Sequence, residues 1–342
     1  MERVRLNGPA KEGLGLYFPK PKTIQFIPTG CTLLDCVLGD GWALGRVANV
    51  IGDKAVGKTL LAIEACANFA QKYPKGKIWY REAEAAFDEA YAEDLGLPLK
   101  RVDFGSEGIG TIWDTIEDIF EDLDACLAVC EKQKVPGLYI IDSLDALTSR
   151  AELERDPSKG TFGLEKQKML GKLFRQLIRR LKQTNVALMV ISQVRDNIGV
   201  TFGEKHKRSG GKALDFYATH ALWLSHMETI KRTEGGVKRA VGVRIKARCK
   251  KNKIGLTSRE CEFSLIFGYG VADIEASLDF LTEVKALDRL SLKEAGIDAY
   301  LEQIEGLSGA ERHAKEALVT AATVAAWADV EKRFAPRRRK YG

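Results

Sequence analysis

The sequence predicts an α/β fold with a mostly parallel central sheet flanked by helices, and three observations carry that prediction. Short apolar runs suited to buried strands recur at residues 47–51, 76–80, 137–142 and 186–191. Stretches with apolar residues at helical spacing separate them, the pattern of strands joined by crossover helices. After the first of these strands comes Gly52-Asp53-Lys54-Ala55-Val56-Gly57-Lys58-Thr59, which fits G-x-x-x-x-G-K-[ST] at every position.

The bulk numbers suit such a fold. A chain of 342 residues buries a large core, and 45% hydrophobic with 29% charged residues is a globular composition. A net charge of +6 is too modest by itself to require a polyanionic partner, so the placement of the cations matters more. Seven cysteines form no C-x-x-C pair, and Cys66, Cys126, Cys130 and Cys249 sit in apolar patterns, which reads as buried reduced thiols in the cytoplasm. Arg3, Arg5 and Lys11 precede no long apolar segment, so no secretory signal is expected. The apolar run 317–328 is short for a membrane span and reads as a buried helix.

Taken in order, residues 1–28 are rich in Gly, Pro and Lys and read as an arm. Residues 30–39 read as a short helix stopped by Gly39. In the glycine loop, Gly52 and Gly57 let backbone N–H groups approach phosphate oxygens, Lys58 reaches the β- and γ-phosphates, and the Thr59 hydroxyl suits Mg²⁺. Glu82 and Glu84 follow the strand at 76–80, where ligands of parallel sheets collect. Either could orient an attacking water, and a helix-capping acid is the bland alternative. Residues 111–133, with Ile112, Trp113, Ile116, Ile119, Leu123 and Leu127, predict an amphipathic helix with a solvated acidic face. The strand 137–142 ends in Asp142, whose carboxylate would face the Mg²⁺ shell.

Residues 149–162 read as a loop, and 164–182 as a helix. One face carries Met169, Leu170, Leu173, Phe174, Leu177, Ile178 and Leu181. The other repeats Lys168, Lys172, Arg175 and Arg179, a stripe that suits phosphate contacts or plain solvation. The strand 186–191 leads through Gln193 into a polar, cation-rich loop at 195–212 that suits single-stranded nucleic acid. Residues 221–267 read as strands turning at Glu234-Gly235-Gly236, with Arg244, Lys246 and Arg248 making one face basic. Beyond about 270 the composition turns helical.

These ordered residues resemble the bacterial RecA recombinase family, including its phage relatives, over about residues 27–270. The resemblance rests on Pro28-Thr29-Gly30 with Leu34-Asp35 and Leu38-Gly39, the glycine loop, Ala83-Glu84, Ile141-Asp142-Ser143-Leu144-Asp145-Ala146-Leu147-Thr148, and Gln193-Val194-Arg195 with Ile198-Gly199-Val200. It rests further on Gly210-Gly211-Lys212-Ala213-Leu214 with Phe216-Tyr217-Ala218, and on Lys251-Asn252-Lys253-Ile254. It implies a RecA-type P-loop ATPase core at 29–270 with two DNA-binding loops, an N-terminal polymerisation arm at 1–28, and a small helical C-terminal domain with a basic tail at 271–342. ATP and Mg²⁺ are the implied cofactors.

By resemblance, Glu84 activates water, Gln193 senses the γ-phosphate, and Lys251 and Lys253 reach ATP across a subunit junction at which Phe216 responds to nucleotide. Asp88, Tyr91 and Phe267 join the residues 52–59 (Gly52, Asp53, Lys54, Ala55, Val56, Gly57, Lys58, Thr59) as nucleotide contacts, and Thr59 and Asp142 serve the metal. The DNA contacts implied are Phe162, Lys168, Lys172, Arg175, Arg195, Ile198, Gly199, Val200, Ser209, Gly210 and Gly211, with loops at about 152–163 and 195–209. Expected partners are single-stranded DNA, homologous duplex DNA and further copies of the chain in a helical filament, with single-strand-binding and loader proteins beside them and no membrane. Three departures from the family are visible: no long N-terminal docking helix is evident, Glu82 stands where Asp is common, and Arg337, Arg338, Arg339 and Lys340 stand where an acidic tail is common. The alternatives are a RecA-fold ring motor or regulatory module that does not recombine DNA, and a small-molecule kinase.

Overall fold

The computed structural model describes residues 24–84, 87–153, 163–196, 206–208 and 211–338. In chain order its elements are β1 (Phe26–Ile27), α1 (Thr32–Leu38), β2 (Trp42–Ala43), β3 (Val47–Gly52), α2 (Lys58–Lys72), β4 (Lys77–Glu82), α3 (Glu89–Asp94), β5 (Val102–Asp103), α4 (Ile116–Gln133), β6 (Gly137–Asp142), α5 (Arg150–Leu153), α6 (Gly163–Thr184) and β7 (Val186–Asp196). They continue with β8 (His206–Arg208), α7 (Gly211–Tyr217), β9 (His220–Glu234), β10 (Val237–Asn252), β11 (Arg259–Ile266), β12 (Gly270–Val271), α8 (Asp273–Glu283), α9 (Ile297–Glu305) and α10 (Gly309–Arg333).

The main sheet runs β12-β11-β10-β9-β3-β7-β6-β4-β5, with β8 attached to β7. From β9 to β5 neighbouring strands are parallel. Such strands are covered on both faces, and β3 and β6 are accordingly buried along their whole length. Phe69, Tyr80, Ile140, Met189 and Leu222 pack on the α2 side. Trp79, Ile119, Leu123, Tyr139, Phe174 and Val190 pack on the side of α4 and α6. The remaining strands, β10 to β12, are antiparallel additions at one end.

Helix α1 ends at Gly39, whose φ of 91° is the left-handed turn that stops it. His220, at the start of β9, is buried against the Leu38 carbonyl at 3.1 Å, and burial pushes its imidazole down to about 4, so it is neutral near pH 7. Beyond the sheet, α8, α9 and α10 enclose a cluster of Leu278, Leu281, Ile304, Val319, Ala322 and Ala326. This cluster is tied back to α1 and β11: the Thr32 N–H and hydroxyl donate to Asp273 at 2.5 and 2.8 Å, and Arg259 pairs with Glu331 at 2.5 Å.

Several sequence expectations are corrected. Helix α4 begins at Ile116, because the Thr115 hydroxyl accepts from the Asp118 N–H at 3.1 Å and caps it there. Ile112 and Trp113 precede it, with the Trp113 indole donating to the Phe104 carbonyl. The acidic face of α4 is not simply solvated: Asp122 holds Arg81, Asp118 and Glu121 hold Arg150, and Asp124 holds Arg180. Part of the stretch 149–162 is helical, as α5. Strand β7 runs on to Asp196 and pairs with β8, so the polar stretch after Gln193 begins as a hairpin. The basic face of β10 is neutralised across the strands: Arg244 meets Glu262 and Asp279, Lys246 meets Glu260, and Arg248 meets Glu260. Among the described residues no helix is long and apolar enough to cross a membrane.

Candidate active site

The carboxyl ends of β3, β4, β6 and β7 converge on a cleft of about 210 Å³ lined by Lys54, Ala55, Lys58, Thr59, Glu84, Asp142, Ser143, Ile191 and Gln193. Gly57 caps α2 with φ 82°, and a side chain there would run into Leu265 of β11, so the turn requires glycine. Lys58 opens α2 only 8% exposed, its ammonium donating to the Asp53 carbonyl at 2.6 Å. Burial lowers its pKa, while Asp142 and Glu84 pull the other way. The Asp53 carboxylate accepts from the Lys54 N–H at 2.7 Å, and Val56 is buried beneath the loop.

Asp142 receives two hydroxyl donors on one oxygen, Thr59 at 2.8 Å and Tyr80 at 2.6 Å. Burial raises its pKa, and these two hydrogen bonds oppose that rise. Hydroxyl plus carboxylate is a hard oxygen donor set, and it fits Mg²⁺. The lysine and loop amides beside it fit a phosphate chain.

The two glutamates at the end of β4 separate by environment. Glu82 is buried and accepts from the Phe87 N–H at 2.8 Å, closing the turn that follows. Glu84 is exposed in the cleft, where its carboxylate accepts from the Ser143 hydroxyl and from the Gln193 side chain at 2.8 Å. The Gln193 backbone N–H donates to Asp145 at 2.6 Å.

Other candidates lie outside this cleft. Asp88 caps α3 by accepting from the Tyr91 N–H at 2.9 Å, and Tyr91 packs on the α2-side core. Phe267 is exposed just past β11, two residues beyond the Leu265 that closes on Gly57. Lys251 and Lys253 rest at the carboxyl end of α7: both donate to the Phe216 carbonyl, at 3.0 and 2.7 Å, and Lys251 also donates to that of Asp215. Phe216 beside them is 70% exposed. Between the two lysines, Asn252 donates to the Leu38 carbonyl at 3.0 Å and accepts from the Ile254 and Gly255 N–H groups. Strand alternation then puts Lys251 and Lys253 together on the opposite side.

On α6, Lys168, Lys172, Arg175 and Arg179 are exposed and make no ion pair among the described residues. Arg195 falls in β7 opposite Lys207, and Gly211 begins α7. Phe162, Ile198, Gly199, Val200, Ser209 and Gly210 lie outside the described residues, as do most of the arm and, in the tail, Arg339 and Lys340. Sequence reasoning missed four contributors: Tyr80, Ser143, Asn252 and Lys166, whose ammonium ties α6 to the Leu144 and Leu147 carbonyls at 2.8 and 2.6 Å. Tyr80 and Asn252 sit inside stretches read for other features, and nothing local marks them.

A family model described as the RecA N-terminal domain matches residues 14–272. The chain belongs to the RecA family. Its RecA relatives include the protein named Protein RecA of Leifsonia xyli subsp. xyli, 33% identical over 261 residues, which covers 76% of this chain and 68% of the relative. That of Streptomyces ambofaciens is 34% identical over 250 residues, covering 73% of this chain and 63% of the relative. That of Gloeothece citriformis is 29% identical over 266 residues, covering 78% and 70%. The RecA match takes in the whole cleft and the Lys251-Asn252-Lys253 strand end, and it stops where α8 begins.

Proposed function

We propose that this protein is a DNA-dependent ATPase that assembles on single-stranded DNA, pairs it with homologous duplex and exchanges strands in recombination and repair. The observation that carries this reading is the separation of Lys251, Lys253 and the exposed Phe216 from the cleft that holds Lys58, Glu84 and Gln193. One half of a phosphate site lies in the cleft and a pair of cations waits on another surface, which suits active sites completed by a neighbouring copy.

In this reading residues 52–59 wrap the phosphates of ATP, and Asp88, Tyr91 and Phe267 hold its base. Thr59 and Asp142 would hold Mg²⁺, which would neutralise charge on the phosphates. Glu84 takes the proton of the attacking water. Gln193, bonded to Glu84 here, turns toward the terminal phosphate, and because β7 continues from it into the second DNA loop, nucleotide state and DNA grip change together. Lys168, Lys172 and Arg175, with Arg195, Gly210, Gly211 and Ser209, hold DNA phosphates, while Phe162, Ile198 and Val200, with Gly199 between the last two, wedge between bases. The arm at 1–28 docks on the next copy, the core spans 29–270, and 271–342 forms the C-terminal domain. Single-strand-binding and loader proteins are the further partners, and the site of action is the cytoplasm.

The test is ATP hydrolysis with and without single-stranded DNA, together with electron microscopy of the DNA-bound protein. Stimulation by DNA and open helical filaments are expected. Turnover indifferent to DNA, with closed rings, would move the assignment to a ring motor.

A further inference from the structure

Strand β6 ends at Asp142, and the turn at 143–147 that follows is tied to its surroundings in several directions. The Ser143 hydroxyl donates to Glu84. The Leu144 N–H donates to the Ile191 carbonyl of β7 at 3.0 Å, and the Asp145 carboxylate accepts from the Gln193 N–H at 2.6 Å. The carbonyls of Leu144 and Leu147 both accept from the Lys166 ammonium of α6, at 2.8 and 2.6 Å. Glu84, Ile191 and Gln193 line the nucleotide cleft, whereas Lys166 belongs to the helix that carries Lys168, Lys172, Arg175 and Arg179.

Lys166 is not placed as a solvating cation. It stands four residues before Leu170 and eight before Phe174, both buried, so it heads the inward stripe of α6. It is also the fourth residue of α6, where the positive end of the helix dipole disfavours a cation. Two charge-assisted hydrogen bonds offset both costs, and they exist only while two carbonyls three residues apart converge on one ammonium. Leu144 and Leu147 are 1% and 2% exposed and pack in the same core as Leu170 and Phe174, so a change in the shape of the turn is felt by the helix. Asp145 faces the other way, toward the phosphate side. Burial lowers the pKa of Lys58, and Asp145 is among the carboxylates close enough to oppose that.

We propose that Asp145 and Lys166 are positioning residues that link the nucleotide cleft to α6 through the 143–147 turn. When Gln193 leaves Glu84 for a terminal phosphate, its backbone takes the Asp145 carboxylate with it, the turn changes shape, and the Leu144 and Leu147 carbonyls re-aim the ammonium and the first turns of α6. This rests on the reading of the protein as an ATPase whose nucleotide state governs its hold on single-stranded DNA. Beside the route along β7 it adds a second, which ends on a different element.

The experiment follows amide hydrogen exchange across 163–175 in the full chain, with Mg²⁺, with and without a non-hydrolysable ATP analogue, and in the absence of DNA. The analogue should change the exchange of these amides in the parent. In Lys166→Met, which keeps the stem and removes the donor, and in Asp145→Ala that change should vanish, while the amides of α2 still respond. Lys166→Arg keeps donors for both carbonyls and Asp145→Asn keeps an acceptor, and both should retain the response. A labelled single strand then gives the ratio of DNA affinities with and without the analogue. That ratio should fall at least about threefold in Lys166→Met and in Asp145→Ala, and no further in the double variant, because residues acting in one chain of contacts are not additive. A parent whose α6 amides ignore the analogue would overturn the proposal, as would a response that survives in Lys166→Met or losses that add. Equal weakening of DNA binding with and without the analogue would also overturn it, since Lys166 would then only hold the helix in place. A parent whose ATPase ignores single-stranded DNA would instead refute the recombinase reading, and the exchange measurements would still decide the link.

Discussion

Asp142 shows what a single hydroxyl can decide. Tyr80 and Thr59 both donate to the same carboxylate oxygen, which fixes the side chain and favours its ionised form against burial. Tyr80→Phe keeps the buried ring among Phe87 and Phe104 and removes only the donor. A hydrogen bond to a charged group is worth about 1.5–3 kcal/mol. The variant is therefore expected to need at least about tenfold more Mg²⁺ for half-saturation with a fluorescent ATP analogue, with binding in chelator unchanged, and an unaltered Mg²⁺ requirement would rule this role out. Glu64, on α2, offers a pH test. Burial pushes its carboxyl up to about 7 from an ordinary value of 4.5, only partly countered by the Val271 N–H at 3.2 Å. Below 4.5 the folded and unfolded forms are both protonated. As pH rises from 4.5 to 7 the unfolded form ionises first, so stability falls across that window and stays lower above it. Glu64→Gln should raise stability at about pH 8 by up to about 3 kcal/mol and leave it nearly unchanged near pH 4, as measured by urea unfolding.

At the scale of elements, β4 shows where the sequence was legible and where it was not. A strand ending near the glutamates follows from its apolar residues and from the chain's return to the sheet. The pattern does not say that Arg81, only 2% exposed, turns inward on the opposite face to Tyr80. There it pairs with Asp122 at 2.7 Å and with Asp103 at 3.0 Å, and it lies over the rings of Trp113 and Tyr139. Its principal partner sits on α4, 41 residues away, and local sequence carries no sign of so distant a pairing. The same reason explains why the β10 cations read as a basic face: their partners lie on β11 and α8. By contrast the glycine loop and Asp142 could be placed at neighbouring strand ends from residue type and spacing, and Gln193 from the family resemblance, and all three line one cleft. Asp122→Ala strips a buried guanidinium of its main partner, so chemical denaturation should show a loss of about 3–5 kcal/mol. A loss below about 1 kcal/mol would mean that Asp103 and the two rings suffice.

For the whole molecule, the proposed division of the site between copies makes a prediction that no single variant can test. On that proposal Glu84→Gln protomers lack the base but keep their lysines, and Lys251→Ala/Lys253→Ala protomers lack the lysines but keep Glu84. Each alone should be inactive. Mixed in equal amounts on single-stranded DNA, about a quarter of the junctions in a head-to-tail assembly join one sound half to the other, so hydrolysis should reappear. A mixture as inactive as its components would show that the lysines serve the site of their own chain. The resting place of those lysines has a further consequence. Both ammoniums occupy the carboxyl end of α7, so a solitary protomer caps that helix with its own side chains. On the proposed reading, reaching toward a neighbour's phosphates would leave those carbonyls bare, and each junction would be an exchange between two claimants for the same cations. Once the terminal phosphate left, the helix end could win them back, and the proposed bond between copies would have a built-in lifetime.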